Sequence, residues 1–178
     1  MNINLESELK EKKTILVVIP NVEYQETILS LCRQLNTNYN RIAYISLNKL
    51  ITPLRRTLED NKINTEKFFF IDGITKTAIP NPPSSSNIIY VPAPNDLTKL
   101  SIAITKVLQT FDPDCLFFES MSTLLIYEEE KVISQFMYSV VNKVNAFGIR
   151  CILTCLDGRK EEILINDLSL VLDKIVKR

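Results

Sequence analysis

Short runs of β-branched and aromatic residues alternate along the chain with longer stretches in which apolar positions recur every three or four residues. ILVVI (15–19), RIAYIS (41–46), FFFID (68–72), NIIYVPAP (87–94), DCLFFES (114–120) and RCILTCL (150–156) read as strands. Several are apolar at consecutive positions, the pattern of strands covered on both faces. Between them the 3.6-residue period predicts helices over 22–35, from about 52, over 95–111 and over 128–147. Asn21 is the expected N-cap of the first, with Glu23 and Glu26 in its first turn, where the helix dipole favours carboxylates. Leu54 and Leu58 mark the buried face of the second. Asn95 or Asp96 caps the third, whose apolar positions are Leu97, Leu100, Ile104, Val107 and Leu108. The fourth carries Val132, Phe136, Val140, Val144 and Phe147 on one face and ends at Gly148. The tail reads as a short helix and a terminal strand near 173–177.

Strand–helix alternation of this kind predicts an α/β fold: three layers, αβα, around a mainly parallel central sheet. Residues 1–13 read as a polar N-terminal arm or short helix, and 14–178 as a single domain. The Pro/Ser-rich segment 79–86 is a loop inside that domain, and no internal repeat is present.

Composition narrows the chemistry. Lys+Arg and Asp+Glu number 21 each, so no overall field draws the chain to nucleic acid or an anionic membrane. No basic–aromatic interleaving suggests nucleic acid either. The chain contains no histidine, which excludes His general bases, Ser/His and Cys/His nucleophile pairs and His-containing metal sites. Its four cysteines (Cys32, Cys115, Cys151 and Cys155) form no C-x-x-C pair. Cys151 and Cys155 share a strand face but lie too far apart to bond, so buried free thiols are expected. The N-terminal segment lacks the apolar core of a signal peptide, and no apolar run reaches the length of a membrane span. A cytoplasmic protein is the expectation.

The stretch 15–35 carries the most specific layout: a short β-branched strand, an eight-residue turn and an amphipathic helix. A phosphate-binding P-loop has the same plan and reads G-x-x-x-x-G-K-[ST] across the turn. Here Pro20 and Gln25 stand at the glycine places, Asn21 follows Pro20, Glu26 takes the lysine place, and Thr27 alone keeps its type. Pro20 lacks an N–H donor, and losing both glycines removes the backbone freedom that wraps a phosphate. At roughly 4 Å, replacing Lys by Glu turns each attraction to a phosphate charge into a repulsion of a few kcal/mol.

Together with RIAYISLNK (41–49), KFFFIDGIT (67–75) and above all the segment 114–156, this stretch resembles the RecA/KaiC-like P-loop ATPases. The run VPAPNDLTKLSIAI (91–104) is similar to archaeal KaiC-like proteins of signalling type. The resemblance implies a RecA-like fold and a nucleotide site formed by the Walker A turn and the Walker B strand end at Glu119 and Ser120. Glu119 stands where the family has Asp. The family's water-activating carboxylates after the second strand are replaced by Leu47, Asn48 and Lys49.

The vestigial nucleotide-site positions are therefore Pro20, Asn21, Gln25, Glu26, Thr27, Glu119 and Ser120, with no catalytic and no metal-binding residue assigned. Thr27 reads first as an early helix residue, and Glu119 as a carboxylate partnered by a nearby Lys or N–H. The acidic run Glu128–Glu130 reads as a helix start. The expectation is a non-catalytic pseudo-ATPase domain acting as a regulatory or protein-interaction module in signal transduction, associating with itself or with a related RecA/KaiC-like protein. The alternative is an atypical ATP-binding protein holding Mg-nucleotide through Thr27 and Glu119.

Overall fold

The computed structural model describes residues 3–9 and 13–178. Seven strands form one sheet: β1 (Thr14–Ile19), β2 (Ile42–Ser46), β3 (Phe68–Asp72), β4 (Ile88–Tyr90), β5 (Cys115–Glu119), β6 (Arg150–Leu156) and β7 (Lys174–Lys177). Their order is β4-β3-β2-β5-β6-β1-β7, and every neighbouring pair is parallel. β1, β2 and β5 are buried at every position, which explains their unbroken apolar runs.

Alternate residues of these strands face opposite layers. One layer packs α2 (Tyr24–Asn38) and α3 (Ile51–Asp60) on Ile15, Val17, Ile42, Tyr44, Phe70 and Phe117. The other packs α5 (Leu97–Thr110), α7 (Glu130–Ala146) and α8 (Glu162–Leu168) on Leu16, Val18, Ala43, Ile45, Leu116 and Phe118. The three-layer αβα architecture expected from the sequence is the one observed. Shorter helices α1 (Leu5–Glu8), α4 (Thr75–Ala78) and α6 (Met121–Leu124) and 3₁₀ turns at Asn21–Glu23 and Thr65–Lys67 complete the described elements.

Local differences from the sequence reading have physical causes. The first long helix does not begin at Val22 with Asn21 as cap. Asn21–Glu23 form a 3₁₀ turn, and the α-helix starts at Tyr24 without a side-chain cap bond. On α7 the buried face is Ile133, Phe136, Met137, Val140, Val141 and Val144, whereas Val132 and Phe147 are exposed. Val132 lies in the first turn of the helix and Phe147 is its C-cap, so the two exposed positions are the ends of the stripe. The N-terminal stretch expected to be polar buries Leu5 and Leu9 against the α2 layer. The cap of α5 is Asp96, which accepts from Lys99 N at 3.0 Å. All four cysteines are buried free thiols.

The chain steps one way across the sheet from β1 through β2 and β3 to β4, and back the other way from β5 through β6 to β7. From β1 the chain crosses through α2 past β6 and β5 to reach β2. The loops leaving β1 and β5 thus diverge to opposite layers and open a crevice at the carboxyl ends of the strands, the place where open α/β sheets receive ligands.

Candidate functional site

Glu119 ends β5 at the floor of that crevice and is completely buried. A carboxylate carried out of water needs compensating partners, and three side chains supply them. Tyr24, from the first turn of α2, donates its phenol to Oε1 at 3.2 Å. Tyr44, from the middle of β2, donates its phenol to Oε2. Lys49, in the loop after β2, places Nζ 3.4 Å from Oε1 and donates to Gln25 Oε1 at 2.8 Å. Burial first, and the neighbouring Glu119 charge second, push both phenols well above the ordinary tyrosine value. They are therefore neutral donors, and the carboxylate is held by two O–H groups and one ammonium.

Tyr44 is fixed by its place in an aromatic cluster, with ring centroids 5.1 Å from Phe117 and 5.6 Å from Phe70. Lys49 is fixed by the loop: Ser46 Oγ donates to Lys49 O at 3.0 Å, and Gly73 N donates to Ser46 O at 2.9 Å. Beside this loop Asp72, buried at the end of β3, accepts from Ile74 N and Thr75 N at 2.8 Å each. Thr75 Oγ1 in turn accepts from Ile51 N at 3.1 Å and anchors the start of α3. Asp72 is thus consumed in loop architecture.

The eight-residue turn has no open cradle. Glu23 N donates to Pro20 O at 2.9 Å, Tyr24 N donates to Asn21 O, and Gln25, Glu26 and Thr27 are already in the α-helix. Glu26 and Asn21 are exposed to solvent. Thr27 is buried, donates to Glu23 O at 2.8 Å and accepts from the Arg178 guanidinium. Arg178 Nε also lies 2.8 Å from Glu23 Oε2, an ion pair off the hydrogen-bond direction. Thr27 and Glu119, the two positions on which the Mg-nucleotide alternative depends, are each occupied by protein partners. Among the described residues no three His, Cys, Asp or Glu side chains converge on a point.

Above Glu119 a cavity of about 280 Å³ remains, lined by Asn21, Tyr24, Gln25, Asn48, Ser120 and Ile126 among others. Asn48, Thr154 and Ser120 face the Tyr24 phenol. The Ser120 hydroxyl nevertheless lies outside hydrogen-bond geometry with it and has no partner among the described residues, although the residue is 2% exposed.

No family model and no curated protein matches the chain. Among solved structures, a KaiC-like protein from the hyperthermophilic archaeon Pyrococcus horikoshii superposes with a TM-score of 0.64 at 14% identity, over 93% of this chain and 71% of that one. The chain has a KaiC-like fold. At that identity the likeness is one of architecture, and function must be argued from the site.

The crevice gathers Asn21, Gln25 and Ser120 from the expected positions around Glu119, while Glu26 turns away and Thr27 is tied to Arg178. The sequence reading of Glu119 as a carboxylate partnered by a nearby Lys is met by Lys49, whereas Tyr44 was not singled out. Tyr44 sits mid-strand and reads as core. The available signal was the pairing of an acid at one strand end (Glu119) with a base just past another (Lys49), in strands that proved to be neighbours. Among the described residues no helix is long and apolar enough to cross a membrane.

Proposed function

We propose that this chain is a non-catalytic KaiC-like domain that serves as a regulatory or protein-interaction module. The observation that carries the reading is the enclosure of Glu119 by Tyr24, Tyr44 and Lys49. The carboxylate that would meet a metal is instead neutralised from within, and Lys49, its cationic neighbour among the described residues, is spent on it. The turn after β1 folds into a 3₁₀ turn and helix, so the Glu23 and Tyr24 amides serve the backbone rather than an anion.

Exposed apolar residues at the mouth of the crevice support the interaction role. Val22 is 94% exposed and Ile126 75% exposed, and Ile126 shares the cavity lining with Asn21, the neighbour of Val22. Large apolar side chains at the rim of a polar cleft suit a protein partner better than solvent. The partner is a second copy of the chain or a related KaiC-like protein, and the setting is signal transduction.

Thermal unfolding with and without Mg-ATP and Mg-ADP tests the first half. A ligand at 100 times its Kd adds about 2.7 kcal/mol. No shift at millimolar nucleotide is expected; a clear shift that Thr27→Val and Glu119→Gln abolish would establish the Mg-nucleotide alternative instead. Sedimentation of the wild type and of Val22→Asp/Ile126→Asp tests the second half. Association lost in the variant is expected, and a wild type that stays monomeric alone and with a KaiC-like relative would remove the interaction role.

A further inference from the structure

We infer that the cavity above Glu119 is a binding site for an uncharged polyhydroxylated small molecule, a free sugar or cyclic polyol. Its volume of about 280 Å³ lies near the lower end of small-molecule pockets, about 300–1,000 Å³. The polar groups that face it are the carboxamides of Asn21, Gln25 and Asn48 and the hydroxyls of Ser120, Ser122 and Thr123. Each carboxamide offers donors and an acceptor, and each hydroxyl offers both in one atom. A sugar hydroxyl is likewise donor and acceptor together, so a ring bearing several of them matches a lining of this mixed character.

Charge selects against ionic ligands. Among the described residues Lys49 is the cation near the floor, and Glu119 and Gln25 already occupy it. A phosphate or carboxylate entering the cavity would shed water with no free cation to receive it, a loss without compensation. A cationic ligand would find Glu119 sealed beneath the Tyr24 and Tyr44 phenols.

Ser120 gives the cavity its unsatisfied group. The residue is 2% exposed, its Oγ has no hydrogen-bond partner among the described residues, and it lies on the cavity wall. A buried hydroxyl in this state gains from any ligand hydroxyl that reaches it. Neighbouring Ser122 is different, because its Oγ accepts from Leu156 N at 2.8 Å and closes the wall. Ile126 supplies an apolar edge for the C–H face of a ring.

The experiment uses D-ribose, D-glucose and myo-inositol as probes, with ribose 5-phosphate and inorganic phosphate as charged counterparts. Side-chain amide and backbone signals of the full chain are followed by NMR during titration. At least one neutral probe is expected to shift the Asn21, Gln25 and Asn48 amide signals saturably in the millimolar range. The exposed-site variant Asn48→Leu should weaken that binding tenfold or more, and Ser120→Ala at least threefold, with the unliganded spectrum otherwise preserved. Ribose 5-phosphate should bind no tighter than ribose. Silence from all three neutral probes would overturn the inference, as would at least tenfold tighter binding of the phosphorylated sugar. Silence leaves the interaction-module reading intact, because that reading fails on a nucleotide-induced shift or on lack of association.

Discussion

Lys49 Nζ sits 3.4 Å from Glu119 Oε1, so the loop after β2 delivers a cation to a carboxylate buried at the end of β5. The relation is one-sided. Glu119 is wholly enclosed, whereas the Lys49 side chain keeps 27% of its exposure. Removing Lys49 would leave a buried negative charge on two phenols alone. Breaking a buried pair costs about 3–5 kcal/mol, and partial exposure of the lysine brings the expected cost of Lys49→Met to about 2–3 kcal/mol. Lys49→Met/Glu119→Gln should be more stable than the lysine variant by at least about 1 kcal/mol, since it removes the orphaned charge. Urea unfolding of the single and double variants measures both, and additive effects would show that the pair is not coupled.

Tyr44 and Tyr24 make stability depend on alkaline pH. Both have folded-state pKa values raised above 10.0, by burial first and Glu119 second. A raised folded pKa means that the native state keeps the proton longer than the unfolded chain. The contribution is complete below the unfolded value near 10 and is lost as pH climbs from there towards the folded value. Each phenol gives a slope of up to about 1.4 kcal/mol per pH unit. The buried thiols act with the same sign from about pH 9; Cys155, for example, is pushed up to about 12, mainly by burial. Tyr44→Phe should cost about 1.5–3 kcal/mol at pH 7, the worth of a hydrogen bond to a charged group. It should also flatten the loss of stability above pH 10. Unfolding midpoints between pH 7 and 11 decide this, and an unchanged slope would place the alkaline loss elsewhere.

The strands were legible in the sequence because full burial forces unbroken apolar runs, as in 15–19 and 68–72. The sheet order was not, because parallel strands carry no local mark of their neighbours. The neighbours had to be known before Glu119 could be joined to Tyr44, its companion on the next strand, or to Lys49 beyond it. The start of α2 was misplaced for a local reason: Asn21 is a good cap by type, but Pro20 leads into a 3₁₀ turn that ends only at Glu23. Glu26 was legible as a charge reversal, and its turn to solvent was not, because helix phase from Tyr24 decides it.

Gly148 offers a test of backbone conformation uncomplicated by packing. Its φ is +68°, and an added Cβ would meet nothing within 4 Å among the described residues. It ends α7 in a Schellman arrangement, with Gly148 N donating to Asn145 O and Ile149 N to Val144 O, both at 3.0 Å. Gly148→Ala should therefore cost only the left-handed penalty, about 1–2 kcal/mol, and Gly148→Asn less. Thermal unfolding of the two variants gives the order; equal stability of Ala and Gly would contradict the assigned cap.

Leu5 tests whether the N-terminal stretch belongs to the folded unit. Its side chain is fully buried in the α2 layer, Leu9 beside it is 2% exposed, and Gln34 on α2 grips the backbone from both sides. Gln34 Oε1 accepts from Leu5 N at 2.8 Å, and Nε2 donates to Ile3 O at 2.9 Å. A loose polar arm would tolerate Leu5→Ala within about 0.5 kcal/mol, the range of surface changes. Packed as it is, Leu5→Ala should cost about 2–3 kcal/mol, the lower part of the core range, because a single helical turn can yield more readily than a long helix. Gln34→Ala should cost about 1 kcal/mol through its two backbone bonds. Hydrogen exchange at Leu5 N separates the cases: protection approaching that of α2 in the wild type, and loss of it in Gln34→Ala, is the outcome expected of a docked segment.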